Sequence, residues 1–305
     1  AGSAAAHGVR VESQCSTMNS YRSVFQPGLF DGRVAIVTGG GSGIGRCTAH
    51  ELAALGASVA IVGRKAEKLE SVRAEIEQAG RVCSTHVCDI RDEDTVRATV
   101  AAVLERHGRI DGLVNNAGGQ FPSPLAAISA KGWDAVVRNN LTGGFLVARE
   151  CVTQWMGAHG GAIVNVIADI WGGMPGMGHS GAARAGMLNF TETAALEWAP
   201  VRSNAVAPGW IASNGLDQYP PQMTETILGM SKLVPLQRLG TESEVSAAIV
   251  FLLSPAAAFI SGACLRIDGA APNAKRIWPE VGTGGSTAAF EGFHLAAAPK
   301  ILQRT

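Results

Sequence analysis

Net charge is absent from this chain of 305 residues: 25 lysines and arginines balance 25 aspartates and glutamates, and charged residues are only 16% of the total. Without a basic excess there is no broad face for nucleic acid or anionic lipid. Long apolar runs are also absent; none reaches the roughly 18 uninterrupted residues that a membrane-spanning helix requires. The six cysteines, at 15, 47, 83, 88, 151 and 264, form no Cys-x-x-Cys pair and no disulfide-like spacing. They fit a reducing cytoplasm, and no metal site is expected. Residues 1–17 lack the apolar stretch of a secretory signal. With Met18 as a natural start, they read as a tag or disordered leader. The closing Ile301-Leu302-Gln303-Arg304-Thr305 carries no Ser-Lys-Leu-type peroxisomal address, so a cytoplasmic location is expected. Tyrosine is scarce: Tyr21 and Tyr219 are the only two, which limits where a phenolic acid can come from.

Apolar residues, by contrast, make up 47% of the chain, enough for a large core in a single α/β domain. Continuous apolar runs occur at Val34-Ala35-Ile36-Val37 and Val59-Ala60-Ile61-Val62. Further strands are expected at residues 81–87, 112–115, 162–166, 203–207 and 264–268. Helical patterns lie between them, one opening near Gly43 and one running from Glu67 to Gln78. Strands that are continuously apolar, not alternating, have both faces covered. Strand–helix alternation then predicts a single-domain, doubly wound, Rossmann-type parallel sheet of seven strands with helices on both faces. The domain is expected over residues 18–269. Beyond Gly269 the periodicity stops, and residues 270–305 read as a Gly-, Ala- and Pro-rich extension that wraps a neighbour or hangs loose.

The first strand runs into Thr38-Gly39-Gly40-Gly41-Ser42-Gly43-Ile44-Gly45. Glycines here allow a tight turn and let backbone amides at a helix N-terminus approach a pyrophosphate. The position, straight after an apolar strand and opening a helix, is what gives the cluster meaning. The second strand ends Val62-Gly63-Arg64-Lys65. No carboxylate stands where an NAD site would bind ribose hydroxyls, and two cations follow, suited to a 2′-phosphate. Cations at a helix N-terminus oppose its dipole, so a phosphate partner would explain them. NADP is the expected cofactor.

With these motifs in place the sequence resembles the classical short-chain dehydrogenases/reductases. Their Thr-Gly-x-x-x-Gly-x-Gly pattern matches Thr38, Gly39, Gly43 and Gly45, with Gly41, Ser42 and Ile44 inside it. Their Asn-Asn-Ala-Gly matches Asn115, Asn116, Ala117 and Gly118. The family's adenine-contacting Asp matches Asp89, followed by Ile90, and its catalytic helix Asn matches Asn140. A Pro-Gly turn matches Pro208 and Gly209, with Ile211 next and Ser213 where a Thr usually meets the nicotinamide amide. The resemblance covers roughly residues 29–269 and is closest to the peroxisomal trans-2-enoyl-CoA reductases. Tyr21 with Pro27-Gly28-Leu29, Gly118-Gly119-Gln120-Phe121, Ser129-Ala130-Lys131-Gly132-Trp133 and His179-Ser180-Gly181-Ala182-Ala183-Arg184-Ala185-Gly186 carry that likeness. The family commonly pairs two long helices across a twofold. The apolar stretches 145–155 and 187–198 agree, which implies a homo-oligomer, dimer or tetramer.

The catalytic positions depart from the family. Its Ser falls on Ala168, its Tyr on Ser180 and its Lys on Arg184. The enoyl reductases' further Tyr-x-x-x-Lys falls on Leu188 and Glu192. Carbonyl reduction needs an acid for the developing alkoxide, and a phenol near pKa ~10 can be tuned for it by a neighbouring cation. Serine is a much poorer acid, and arginine stays protonated. Reducing an enoyl thioester asks for less: the charge appears on an enolate oxygen, which fixed donors stabilise. Asn140, Ser180, Arg184 and His179 are the candidate catalytic residues, although His179 is equally suited to cap the helix that opens there. Asp169 and Trp171 lie in the loop nearby, and Tyr219 sits where the family closes over substrate. The expected function is NADPH-dependent reduction of a small trans-2-enoyl substrate, an acyl-CoA thioester being the candidate. The alternatives are a carbonyl or alcohol oxidoreductase with a rearranged acid, and a silent NADP-binding protein.

Overall fold

The computed structural model describes residues 20–273 and 285–303. The leader expected over residues 1–17 and part of the extension lie outside the described residues. Seven parallel strands form one sheet in the order β3-β2-β1-β4-β5-β6-β7. They are β1 (Val34–Thr38), β2 (Ser58–Gly63), β3 (Cys83–Val87), β4 (Gly112–Asn115), β5 (Ala162–Val166), β6 (Arg202–Pro208) and β7 (Cys264–Ile267). Their burial follows from the apolar runs: every residue of β1, β4 and β5 is buried. Successive side chains point to opposite faces. Ala35 and Val37 pack with α1 (Gly43–Ala54), α2 (Ala66–Gln78) and α9 (Glu242–Leu253). Val34 and Ile36 pack with α3 (Glu93–His107) and α5 (Gly143–Cys151). Two cores on opposite faces of one sheet are the doubly wound arrangement the sequence predicts.

The boundaries shift slightly. β3 begins at Cys83 and not at residue 81, because the Arg81 amide is spent on the Ile76 carbonyl at the end of α2. β7 stops at Ile267 and is an edge strand, so it is only half buried. A continuous helical run over residues 130–159 contains α4 (Ala130–Val137), α5 and a last turn, α6 (Gly157–His159), joined by π-type turns Arg138–Thr142 and Val152–Met156. α7 (Gly178–Glu197) packs beside it.

After β6 the chain leaves the sheet and builds a cap of short turns, including Asn214–Gln218 and α8 (Thr224–Gly229), before returning through α9. Residues 285–303 do not hang loose: they run back over the chain's own body. The Thr241 hydroxyl donates to the Phe290 carbonyl and the Arg22 amide to Gly292. Phe293 is buried against Tyr21, and Ile301 is buried against Leu216, Ile227 and Met230 of the cap. Phe293 and Ile301 are single anchors, which produce no sequence period.

Candidate active site

Strand order reverses between β1 and β4, and a cleft of roughly 670 Å³ opens there at the carboxyl ends of the strands. This is where a doubly wound sheet places its ligand. Ser42, Gly43 and Ile44 line one part, and Asn116 and Gly118 the floor. Val166, Ile167, Ala168 and Arg184 line the far end; Pro208, Gly209, Ile211 and Ser213 line the wall beneath the cap.

The glycine turn is shaped by β4. Thr38 is buried; its hydroxyl donates to the Val114 carbonyl and accepts from the amides of Asn116 and Ala117. Thr38 and Ala117 therefore form the turn and do not face the cleft. The Asn116 side chain donates to the Thr38 carbonyl at 3.0 Å, and a Cβ on Gly45 would collide with it. Gly39 and Gly43 take φ of +67° and +58°, a region open to glycine. The N-cap Ser42 makes no side-chain cap bond, so the first amides of α1 have no intrachain side-chain acceptor there. A Cβ on Gly43 would stand 3.7 Å from Asn214 Oδ1 and 3.8 Å from Glu242 Oε1, in the gap between turn and cap. Free helix-terminal amides beside a gap that glycine keeps open fit a pyrophosphate.

The outer end is more mixed. Arg64 and Lys65 are exposed at the β2–α2 junction, with Lys65 the N-cap of α2. Both oxygens of Asp89 are engaged by Arg91, at 2.8 and 3.1 Å from its Nε, and this pairing lowers the carboxyl to about 2. An adenine would have to share Asp89 with that guanidinium. The Ile90 side chain is buried against Gly143, so only its backbone is available.

At the other end Asn140 sits in a π-type turn, as functional residues of long helices often do. Its Oδ1 accepts the Gly119 amide at 2.9 Å and its Nδ2 donates to Ser180 Oγ at 3.4 Å. Ser180 is fully buried, and its hydroxyl donates to Gln120 Oε1 at 2.6 Å. Gln120 Nε2 donates in turn to the Tyr219 phenol at 3.2 Å. His179 is also fully buried: Nδ1 accepts the Ser180 amide, Phe121 lies edge-on at 4.5 Å, and Nε2 has no partner. It satisfies a first-turn amide of α7, as a cap would, and does not line the cleft.

Arg184 lines the cleft. One Nη donates to the Val166 carbonyl at 2.7 Å, its Nε has no partner, and no carboxylate pairs with it among the described residues. Burial alone lowers it to about 10, so it stays a cation at neutral pH. Asp169 does not reach the cleft lining; its Oδ1 accepts the Trp171 amide, and Arg266 lies over the Trp171 ring. Sequence reasoning missed Gln120 as a site residue, and also Asn214 and Trp210, which line the cleft. Gln120 directly follows the Asn-Asn-Ala-Gly-Gly string and lies in the Gly118-Gly119-Gln120-Phe121 string that carries the enoyl-reductase likeness, and those were its signals. No group of three or more metal-ligating side chains is present among the described residues. No helix there is long and apolar enough to cross a membrane.

This fold and cleft belong to a nucleotide-dependent oxidoreductase class, and comparison with known proteins agrees. Residues 39–270 match the family model described as Enoyl-(Acyl carrier protein) reductase. The chain belongs to the short-chain dehydrogenase/reductase family, which uses a nicotinamide dinucleotide. It is 35% identical to a probable 2,4-dienoyl-CoA reductase of Bacillus subtilis, over 78% of this chain and 95% of that protein. Identity to the peroxisomal 2,4-dienoyl-CoA reductase of Danio rerio is also 35%, over 83% and 86%. Among solved structures it is similar to a citronellol catabolism dehydrogenase (AtuB) of Pseudomonas aeruginosa, with TM-score 0.75 and 62% identity over 83% of this chain and 100% of that one.

Proposed function

We propose that this protein is an NADP(H)-dependent oxidoreductase that reduces the C=C bond of a trans-2-enoyl thioester. One observation carries the reading. At the reacting end of the cleft the family's Ser position holds Ala168 and the unpaired cation Arg184 remains, while its Tyr position holds a buried Ser180 that bonds Gln120 and does not itself line the cleft. That arrangement offers no hydroxyl acid for an alkoxide at the family's positions. It does offer fixed positive charge for an enolate.

A bound dinucleotide would lie with its pyrophosphate on the amides of Ser42, Gly43 and Ile44 and its 2′-phosphate near Arg64 and Lys65, and would supply a hydride. This chain's residues do the rest. Arg184 would hold the nicotinamide ribose and offset charge on the thioester oxygen, with Asn140 fixing the Gly119 loop and Ser180. Pro208, Gly209, Ile211 and Ser213 would flank the nicotinamide. The 2,4-dienoyl-CoA reductases among the relatives make an acyl-CoA the first substrate to try. A cytoplasmic homo-oligomer is the proposed form, and a sedimentation mass near 31.5 kDa at micromolar concentration would contradict it.

A second reading, oxidation or reduction at an alcohol or carbonyl carbon, is favoured by the likeness to the citronellol catabolism dehydrogenase. The test is NADPH oxidation with product analysis on matched substrates. Straight and methyl-branched enoyl-CoA thioesters are set against the corresponding aldehydes and ketones. Turnover of the thioesters supports the proposal. Turnover of the carbonyl compounds alone overturns it in favour of the second reading. NADPH binding without turnover on either would make this a silent nucleotide-binding protein.

A further inference from the structure

Four side chains from four separate parts of the chain form one hydrogen-bonded line: Asn140 Nδ2 to Ser180 Oγ, Ser180 to Gln120 Oε1, and Gln120 Nε2 to the Tyr219 oxygen. The direction of each bond is set by chemistry. Ser180 must give its proton to Gln120, because the Asn140 amide already donates to it. A primary amide that accepts at its oxygen can only donate from its nitrogen, so the Tyr219 oxygen is an acceptor in the next bond. The phenol proton is then left over. Among the described residues its one hydrogen-bond contact is the Met177 sulfur at 4.0 Å, a weak acceptor. Gln120 and Tyr219 both line the cleft that holds Arg184 and Ala168.

We propose that Tyr219 is a catalytic residue, supplying from the cap the phenol that position 180 lacks, and that Gln120 is the positioning residue that keeps its O–H turned toward the substrate. This rests on the enoyl-thioester reading for its substrate. In the step itself a bound dinucleotide would supply the hydride for a C–H bond at the β-carbon, the C=C π pair becoming the Cα–C1 bond of an enolate and the carbonyl π pair moving to the thioester oxygen. Tyr219 donates a hydrogen bond to that oxygen beside Arg184. As the enolate collapses the α-carbon takes a proton from a water in contact with solvent, the hydroxide left being reprotonated from bulk, which gives the saturated thioester and oxidised dinucleotide. The phenol enters and leaves the step protonated. It belongs to the cap, whereas the family's usual tyrosine would sit on α7.

The variants that separate a donor from a tether are Tyr219→Phe, Gln120→Glu and Gln120→Ala. A Gln120→Glu carboxylate still accepts from Ser180 but has no N–H. It would instead accept the phenol proton, holding the cap while turning the donor away from the cleft. With enoyl thioester, Tyr219→Phe and Gln120→Glu should each lower kcat on the order of 10²-fold, as loss of one oxyanion donor does. KM for NADPH should stay within about twofold, and the double variant should be no worse than either single one, since both remove the same interaction. A Gln120→Glu enzyme with wild-type kcat would overturn the positioning role. A Tyr219→Phe enzyme with wild-type kcat would overturn the proposal outright.

The two tyrosines permit a reading without turnover. Protein labelled with ¹³C at tyrosine Cζ gives one signal from Tyr21 and one from Tyr219, assigned by Tyr219→Phe. Adding a saturated acyl-CoA with oxidised cofactor should move the Tyr219 signal and leave buried Tyr21 in place; an unmoved Tyr219 signal overturns the assignment. If wild type reduces only carbonyl compounds, the enoyl reading alone falls. The same variants assayed on the carbonyl substrate then decide the role of Tyr219.

Discussion

Gly118 and Arg184 divide one volume between them. A Cβ built on Gly118 would overlap Arg184 Nη2 and stand 3.2 Å from Asn140 Oδ1. The glycine is therefore required by a side chain 66 positions further on, not by its own backbone, since its φ is not among the left-handed ones. Gly118→Ala should push the guanidinium out of its place. NADPH affinity should fall on the order of tenfold or more, the scale of a lost charge-assisted contact. Fluorescence titration with NADPH checks this, and unchanged binding would show that Arg184 does not meet the cofactor.

The same guanidinium is half-buried, with no carboxylate partner among the described residues, and desolvation pushes it down to about 10. An unpaired buried cation costs stability that an apolar chain of similar length recovers. Arg184→Met should raise the cofactor-free Tm, by roughly 2–4 °C for each kcal/mol relieved, while NADPH affinity and turnover fall. Calorimetry beside the activity assay reads both signs. A lowered Tm would mean that the bond to Val166 outweighs the burial of charge.

Cofactor choice should be decided at the exposed Arg64. Arg64→Ala should weaken NADPH by about 10- to 100-fold and leave NADH nearly unchanged, as a lost phosphate contact would. Dissociation constants for both cofactors check it, and equal losses would show that Arg64 does not read the 2′-phosphate.

Glu242 heads α9 beside the glycine turn, and burial raises its carboxyl to about 7 against a smaller opposing pull from Arg46. A carboxyl raised in the folded state binds more protons there than in the unfolded state, between the ordinary range near pH ~4.3 and about 7. Stability is therefore lost as pH rises through that window and levels off above it. Glu242→Gln removes the effect, so its Tm should match wild type near pH 4.5 and exceed it most at pH 8. A gap of constant size across the range would show that Glu242 titrates normally.

Much of this was readable in the residues. Val34 to Val37 and Val59 to Val62 announce two-sided strands because every position must be apolar when both faces are covered. The glycine turn is legible because its geometry tolerates few other residues. What sequence could not supply were contacts between segments far apart in the chain. Ser180 faces Gln120, 60 positions away, and Gln120 faces Tyr219, 99 positions away. Only its place in the Gly118-Gly119-Gln120-Phe121 string marks Gln120, since an amide on a loop is ordinary until its partners are known. The packing of residues 285–303 was hidden for a similar reason: Phe293 and Ile301 fill isolated notches, and two anchors eight positions apart make no pattern. His179 read equally as a catalytic donor and a helix cap; it satisfies a first-turn amide but is fully buried away from the cleft, with Phe121 covering it from another loop.

The reversal of strand order between β1 and β4 makes the protein modular in how it can change. Arg64 and Asp89 follow β2 and β3 on one side of that point, while Arg184 and the cap follow β5 and β6 on the other. The two sides are joined through α1, α9 and a shared core, but no hydrogen bond or ion pair among the described residues links Arg64 or Asp89 to Arg184 or the cap. Selection, or an engineer, can therefore retune which dinucleotide is accepted without disturbing which substrate is recognised.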